Sequence, residues 1–156
     1  MPSMASTSTS SSSSTPSRGY EVFLSFHGKD TRTRFADHLH YALKWKFDVF
    51  RDDENLKRGE YFPQELLKAI QKSKYGIPVI SENYAFSKWC LIELAEMVKC
   101  TELTVLPIFY RVNPSDVGNL RHAFATAFDG HEKDPKVDDQ MISKWKDALK
   151  KVSKIN

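Results

Sequence analysis

Apolar positions along this chain switch repeatedly between short continuous runs and the 3.6-residue spacing of helices. Tyr20-Glu-Val-Phe-Leu-Ser-Phe26 is rich in β-formers and reads as a buried strand. Phe35, Leu39, Ala42 and Leu43 recur at helical spacing, and Phe47-Asp-Val-Phe-Arg51 alternates as a second strand would. The polar stretch 52–60 pivots on Gly59, and a helix is predicted over roughly 63–72 with Leu66, Leu67 and Ile70 inward. Gly76-Ile-Pro-Val-Ile80 is a third strand, whose Pro78 predicts an edge or bulged position. Leu103-Thr-Val-Leu-Pro-Ile-Phe-Tyr110 is a fourth, with Pro107 interrupting its ladder.

The chain is organised around the stretch between the last two strands. Ser87 is placed as an N-cap, and the helix that follows carries Cys90, Leu91, Leu94, Ala95, Met97 and Val98 on one broad face. Trp89, Glu93, Glu96 and Cys100 fall on the other side, with Trp89 and Glu93 one turn apart. A ring beside a carboxylate near a helix start can hold a stacked base and act on a bond next to it. The bland reading of the same pair is a packed ring edge and a solvated acid. After the fourth strand come a capped turn at Asn113-Pro-Ser-Asp116, a short helix marked by Ala123, Phe124, Ala127 and Phe128, a polar loop over 131–138, and an amphipathic helix from Ile142 to Val152.

Strands alternating with helices predict an α/β fold, a flavodoxin-like three-layer sandwich with a mainly parallel sheet. Ligands of such sheets bind at the carboxyl ends of the strands. That rule brings 27–32, 51–53 and 81–93 to one edge.

At 156 residues the chain is long enough for one domain with a real core, predicted over 20–156. Residues 1–19 are almost wholly Ser, Thr, Pro and small residues, a composition expected to be disordered. They contain no apolar stretch of a secretory signal; their Ser-rich, acid-free composition also admits a plastid transit peptide, against which Arg18 counts as their single basic residue. Lys and Arg total 23 against 20 Asp and Glu, a net of +3 without basic blocks, so charge gives no reason to expect a nucleic-acid partner. The two cysteines, Cys90 and Cys100, suit a reduced, cytoplasmic or nuclear chain. No apolar run approaches the ~20 residues of a membrane span. His27, His38, His40, His122 and His131 show no metal-ligand spacing, so no metal is expected. Asp52-Asp53 after a strand admits a phosphoacceptor reading, but no Lys follows the fourth strand in the setting that it needs.

Ser87-Lys-Trp-Cys-Leu-Ile-Glu-Leu94 resembles the Ser-x-Trp-Cys-Leu-x-Glu-Leu signature of plant Toll/interleukin-1 receptor (TIR) domains, as in disease-resistance proteins. The resemblance runs from Tyr20 to Val152. Phe26 with Gly28, Asp30, Thr31 and Arg32, then Phe50-Arg-Asp-Asp53 with Leu56-Lys-Arg-Gly-Glu60, then Pro107-Ile-Phe-Tyr110 with Asn113-Pro-Ser-Asp-Val117, and finally Trp145-Lys-Asp-Ala-Leu149 follow the family's order. The first loop departs from the family's Arg-Gly-Glu-Asp-Thr-Arg by His27 and Lys29, and Asp37-His38 stands where many relatives have Ser-His. Relatives continue into a fifth strand and a final helix, which this chain is expected to lack. No phosphate-binding Gly-x-x-x-x-Gly-Lys motif is present.

The resemblance implies cleavage of the nicotinamide–ribose bond of NAD+, a substrate rather than a cofactor, in plant immune signalling. It makes Glu93 the catalytic residue. It makes Phe26, His27, Gly28, Asp30, Thr31, Arg32, Arg51, Asp53, Arg58, Trp89 and Cys90 candidates for substrate binding. Each of Arg32, Arg51 and Arg58 is equally readable as a surface residue, and Cys90 as a core thiol. Asp37, His38 and Gly59 are the candidates for self-association with other TIR domains, and the charged loop around Gly59 is expected to need a neighbouring subunit to order it. The competing reading is a binding module that pairs with other TIR domains without turnover.

Overall fold

The computed structural model describes residues 20–27, 35–51 and 63–155. Strand β1 (Val22–Phe26) is followed by helix α1 (Phe35–Lys44), strand β2 (Val49–Arg51), helix α2 (Pro63–Gln71) and strand β3 (Tyr75–Ile80). A 3-10 turn at Tyr84–Phe86 leads into α3 (Lys88–Lys99). Then come β4 (Thr104–Val105), β5 (Ile108–Phe109), α4 (Pro114–Gly118), α5 (Ala123–Glu132) and α6 (Asp139–Ser153). Every strand pair is parallel, in the order β2-β1-β3-β4, and β5 also pairs with β3. The fold is the α/β sandwich with a parallel sheet that the strand–helix alternation predicts.

β3 is central, not an edge. The Lys74 and Gly76 carbonyls accept from Thr104 and Leu106, so even-numbered residues of β3 turn their backbone polar groups toward the fourth strand. Pro78 has no N–H to offer on that side, and the fourth strand is interrupted there between β4 and β5 while keeping one register. The ladder from β3 to β1 uses the odd-numbered residues, so it is untouched, and Ser25 still pairs with Pro78. Gly76 admits Met97 and Leu103: a Cβ there would meet the Met97 Sδ at 2.9 Å and Leu103 Cδ2 at 3.0 Å.

Three apolar clusters cover the sheet. α1 closes one face over Val22, Leu24, Phe26, Ile77 and Val79. α2 and α3 close the other over Phe23, with Leu66, Ile70 and Met97. The largest joins α3 to α5 and α6 through Leu91, Leu94, Phe128, Trp145 and Leu149.

Two readings of the helices need correction. α3 packs against β1 as well as α2 and α6, so Glu93 and Glu96, on the side expected to be solvated, are buried, while Trp89 and Cys100 are half-buried. Glu93 is 3% exposed and Glu96 7%. Glu96 accepts from the Gln71 amide at 2.9 Å. α5 also runs through His131, which the sequence placed in a polar loop. The His131 ring stands between Phe128 and Trp145, with Nε2 2.7 Å from the Ala85 carbonyl oxygen. The capped turn at Asn113 is the start of α4, where the Asn113 side chain accepts from the Ser115 N–H.

Candidate functional site

Both faces of β1 are covered, so its residues alternate between two buried environments. Phe26 faces α1. Ser25 faces the other way, is 1% exposed, and must find polar partners inside the protein. Its hydroxyl donates to Oε1 of Glu93 at 2.5 Å and lies 2.8 Å from the Tyr84 hydroxyl. Tyr84, fully buried in the 3-10 turn, also reaches the Cys90 carbonyl oxygen at 3.2 Å.

The helix that carries Glu93 starts where the sequence says. Ser87 caps it, accepting from the Cys90 N–H at 3.2 Å. The cap sets the first turn, and the second turn then presents Glu93 to the carboxyl end of β1. The carboxylate therefore stands at the sheet edge where α/β folds place ligands. Burial pushes the Tyr84 hydroxyl well above the ordinary tyrosine range; Cys90 and Glu93 push the same way, and the hydrogen bond with Ser25 opposes them. Tyr84 thus stays a neutral donor throughout the physiological range.

On the opposite face, the Arg51 guanidinium lies over the Phe26 ring, 4.9 Å from its centre, and pairs with Asp37 at 2.6 Å. This binds one substrate-binding candidate to one self-association candidate. Phe26 and Arg51 are brought together, but they stand across the sheet from Glu93. His27 follows β1 half-buried, and His38 is exposed on α1. Trp89 packs on the cluster of Phe23, Leu66 and Ile70, and Cys90 is buried among Leu91 and Leu94, as a core thiol would be. Gly28, Asp30, Thr31, Arg32, Asp53, Arg58 and Gly59 lie outside the described residues.

Ser25 and Tyr84 were missed by sequence reasoning. A signal for Ser25 existed: a hydroxyl within an apolar strand covered on both faces needs a polar partner. For Tyr84 there was none, because the hydroxyl that it meets, that of Ser25, comes from a distant strand.

A separate surface groove of about 390 Å³ lies between α3 and α6, floored by Ile92, Ala95, Val98 and Met141. It shares no lining residue with the Ser25–Glu93–Tyr84 constellation. Among the described residues no group of three or more His, Cys, Asp or Glu is placed to hold a metal ion, and no helix is long and apolar enough to cross a membrane.

A parallel sheet with a glutamate of the following helix tied to its first strand is found here within a sequence whose residues 19–155 match the family model of the TIR domain. This chain belongs to the TIR domain family. TMV resistance protein N of Nicotiana glutinosa is 46% identical over 149 residues, 93% of this chain and 13% of that protein. Disease resistance protein RPV1 of Vitis rotundifolia is 46% identical over 164 residues, 98% of this chain and 11% of that protein. The TIR domain therefore spans only a small part of the curated relatives it matches. Among solved structures, the TIR domains of the activated Roq1 resistosome, directly recognizing the pathogen effector XopQ, are 41% identical with a TM-score of 0.77. That match covers 88% of this chain and 86% of the other.

Proposed function

We propose that this TIR domain is an NAD+ hydrolase of plant immune signalling, cleaving the nicotinamide–ribose bond, with Glu93 as its catalytic carboxylate. The observation that carries the reading is the placement of Glu93: a carboxylate oriented by Ser25 at the carboxyl end of the central strands. Breaking the bond to nicotinamide builds positive charge on the ribose, and the ring leaves neutral without needing a strong acid. A preorganised carboxylate beside that ribose stabilises the cation or takes it up transiently as a nucleophile. Water then attacks the anomeric carbon and gives up its proton. His27, with Gly28, Asp30, Thr31, Arg32, Asp53 and Arg58, supplies the substrate contacts in this reading. Phe26 and Arg51, across the sheet from Glu93, serve parts of the substrate remote from the reacting ribose, and half-buried Trp89 offers a ring edge at the helix start.

The domain acts on self-association with other TIR domains. Support comes from the activated resistosome whose TIR domains share this fold. Asp37, His38 and Gly59 are the proposed contact residues, and the cytoplasm or nucleus is the proposed location. The test is nicotinamide release from NAD+ at rising protein concentration. Specific activity should climb with concentration, and Glu93→Gln should remove at least about 100-fold of it. Full turnover by a folded Glu93→Gln variant would refute the assignment.

The 3% exposure of Glu93 favours a second reading, a TIR scaffold that pairs without turnover. Absence of nicotinamide release at every concentration, with concentration-dependent assembly retained, would decide for it.

A further inference from the structure

A carboxylate that first faces a cation and then accepts a proton from water occupies two charge states within one cycle. At 3% exposure, Glu93 must be hydrogen-bonded in both. Ser25 and Tyr84 carry one hydroxyl proton each. With Glu93 ionised, Ser25 donates to the carboxylate across 2.5 Å, and Tyr84 donates to Ser25 across 2.8 Å. With Glu93 neutral, the direction reverses: the carboxyl donates to Ser25, Ser25 to Tyr84, and Tyr84 to the Cys90 carbonyl across 3.2 Å. Neither hydroxyl proton is stranded in either state.

We propose that Ser25 and Tyr84 are positioning residues for Glu93, a reversible two-hydroxyl relay that fixes its carboxylate and accommodates both of its charge states. This deepens the reading of Glu93 as the reacting carboxylate and rests on it. The relay is fixed at three points of the fold: β1, the 3-10 turn and the first turn of α3. Its hydroxyls are held rigidly because Ser25 and Tyr84 are both fully enclosed. Around it, among the described residues, Cys90 and Glu93 are the titratable groups that Tyr84 senses from α3. Arg51, across the sheet, is engaged by Asp37. The Cys90 carbonyl serves as a terminus because a carbonyl oxygen accepts two hydrogen bonds.

The test uses the full chain labelled with carboxyl-13C glutamate, the Glu93 signal being identified by its loss in Glu93→Gln. The signal is titrated in wild type, Ser25→Ala, Ser25→Thr and Tyr84→Phe, and nicotinamide release is followed against pH in parallel. Ser25→Ala removes the partner of both charge states, but the bond to the ionised carboxylate is the stronger of the two, so the Glu93 midpoint and the acidic limb of turnover should move upward by about one pH unit. In the same variant kcat should fall roughly tenfold with KM within about twofold. Tyr84→Phe should move both in the same direction by less, since it only polarises the Ser25 hydroxyl, and Ser25→Thr should restore them.

An unmoved Glu93 midpoint in folded Ser25→Ala, whatever the turnover, overturns the proposal. If Ser25→Ala does not fold, Tyr84→Phe decides, because its ring still fills the core, and an unmoved midpoint there overturns it equally. A wild type that releases no nicotinamide, but whose Glu93 midpoint rises in Ser25→Ala, removes the activity and leaves the relay standing.

Discussion

Ser25 donates to Glu93 across 2.5 Å, although 68 residues of chain separate them. The bond fastens the first strand to the helix whose motif defines this TIR domain. It also makes Glu93 part of the interior, which changes what its replacement should do to the fold.

Glu93→Ala should be clearly destabilising, by about 2–4 kcal/mol, because it opens a cavity in the interior and removes the charged acceptor of the Ser25 hydroxyl. Glu93→Gln keeps the volume and an acceptor for Ser25, and should cost less than about 1.5 kcal/mol. Urea unfolding followed by circular dichroism separates the two. Equal midpoints for both variants would mean that Ser25 finds another partner without cost.

His131→Ala should cost about 2–4 kcal/mol, since it empties the space between Phe128 and Trp145 and leaves the Ala85 carbonyl without its partner. Thermal melting checks this, and a loss under about 0.5 kcal/mol, the size of an ordinary surface substitution, would mean that the ring contributes little to the core.

Gly118→Ala is expected to push α4 off α6. A Cβ at Gly118 would overlap the Ser153 hydroxyl and stand 2.9 Å from Ser153 Cβ. Overpacking of this kind costs about 1–3 kcal/mol, and the double variant with Ser153→Gly should recover most of it. Unchanged stability of the single variant would show that the two helices part freely.

Lys88, at the start of α3, pairs with Asp134 just beyond α5. The Lys88 hydrogen bond, then the Lys136 backbone N–H, hold the Asp134 carboxyl below its ordinary value. A depressed folded-state pKa stabilises above the unfolded value, about 4, and that stabilisation is lost as pH falls through the folded value. Asp134→Asn should therefore melt slightly lower than wild type at pH 7, and the gap should close below about pH 4. A gap that does not narrow as pH falls below about 4 would assign the effect to packing instead.

The elements themselves were legible because their causes are local. Apolar period separates strand from helix. Ser87 caps its own helix through an N–H three residues on. The motif from Ser87 to Leu94 is a property of neighbouring residues, and it carried the TIR resemblance that the family match supports. Tertiary structure decided the rest, for reasons that no local window holds. Which sides of α3 are buried depended on β1, α2 and α6 packing around it, so Glu93, facing β1, and Glu96, facing α2, became interior groups. Whether Pro78 breaks a sheet depended on which neighbouring strand its missing N–H would have faced. The hydroxyls that hold Glu93 come from a strand 68 residues away and from a turn before the helix, brought together only when the sheet and α3 close on each other.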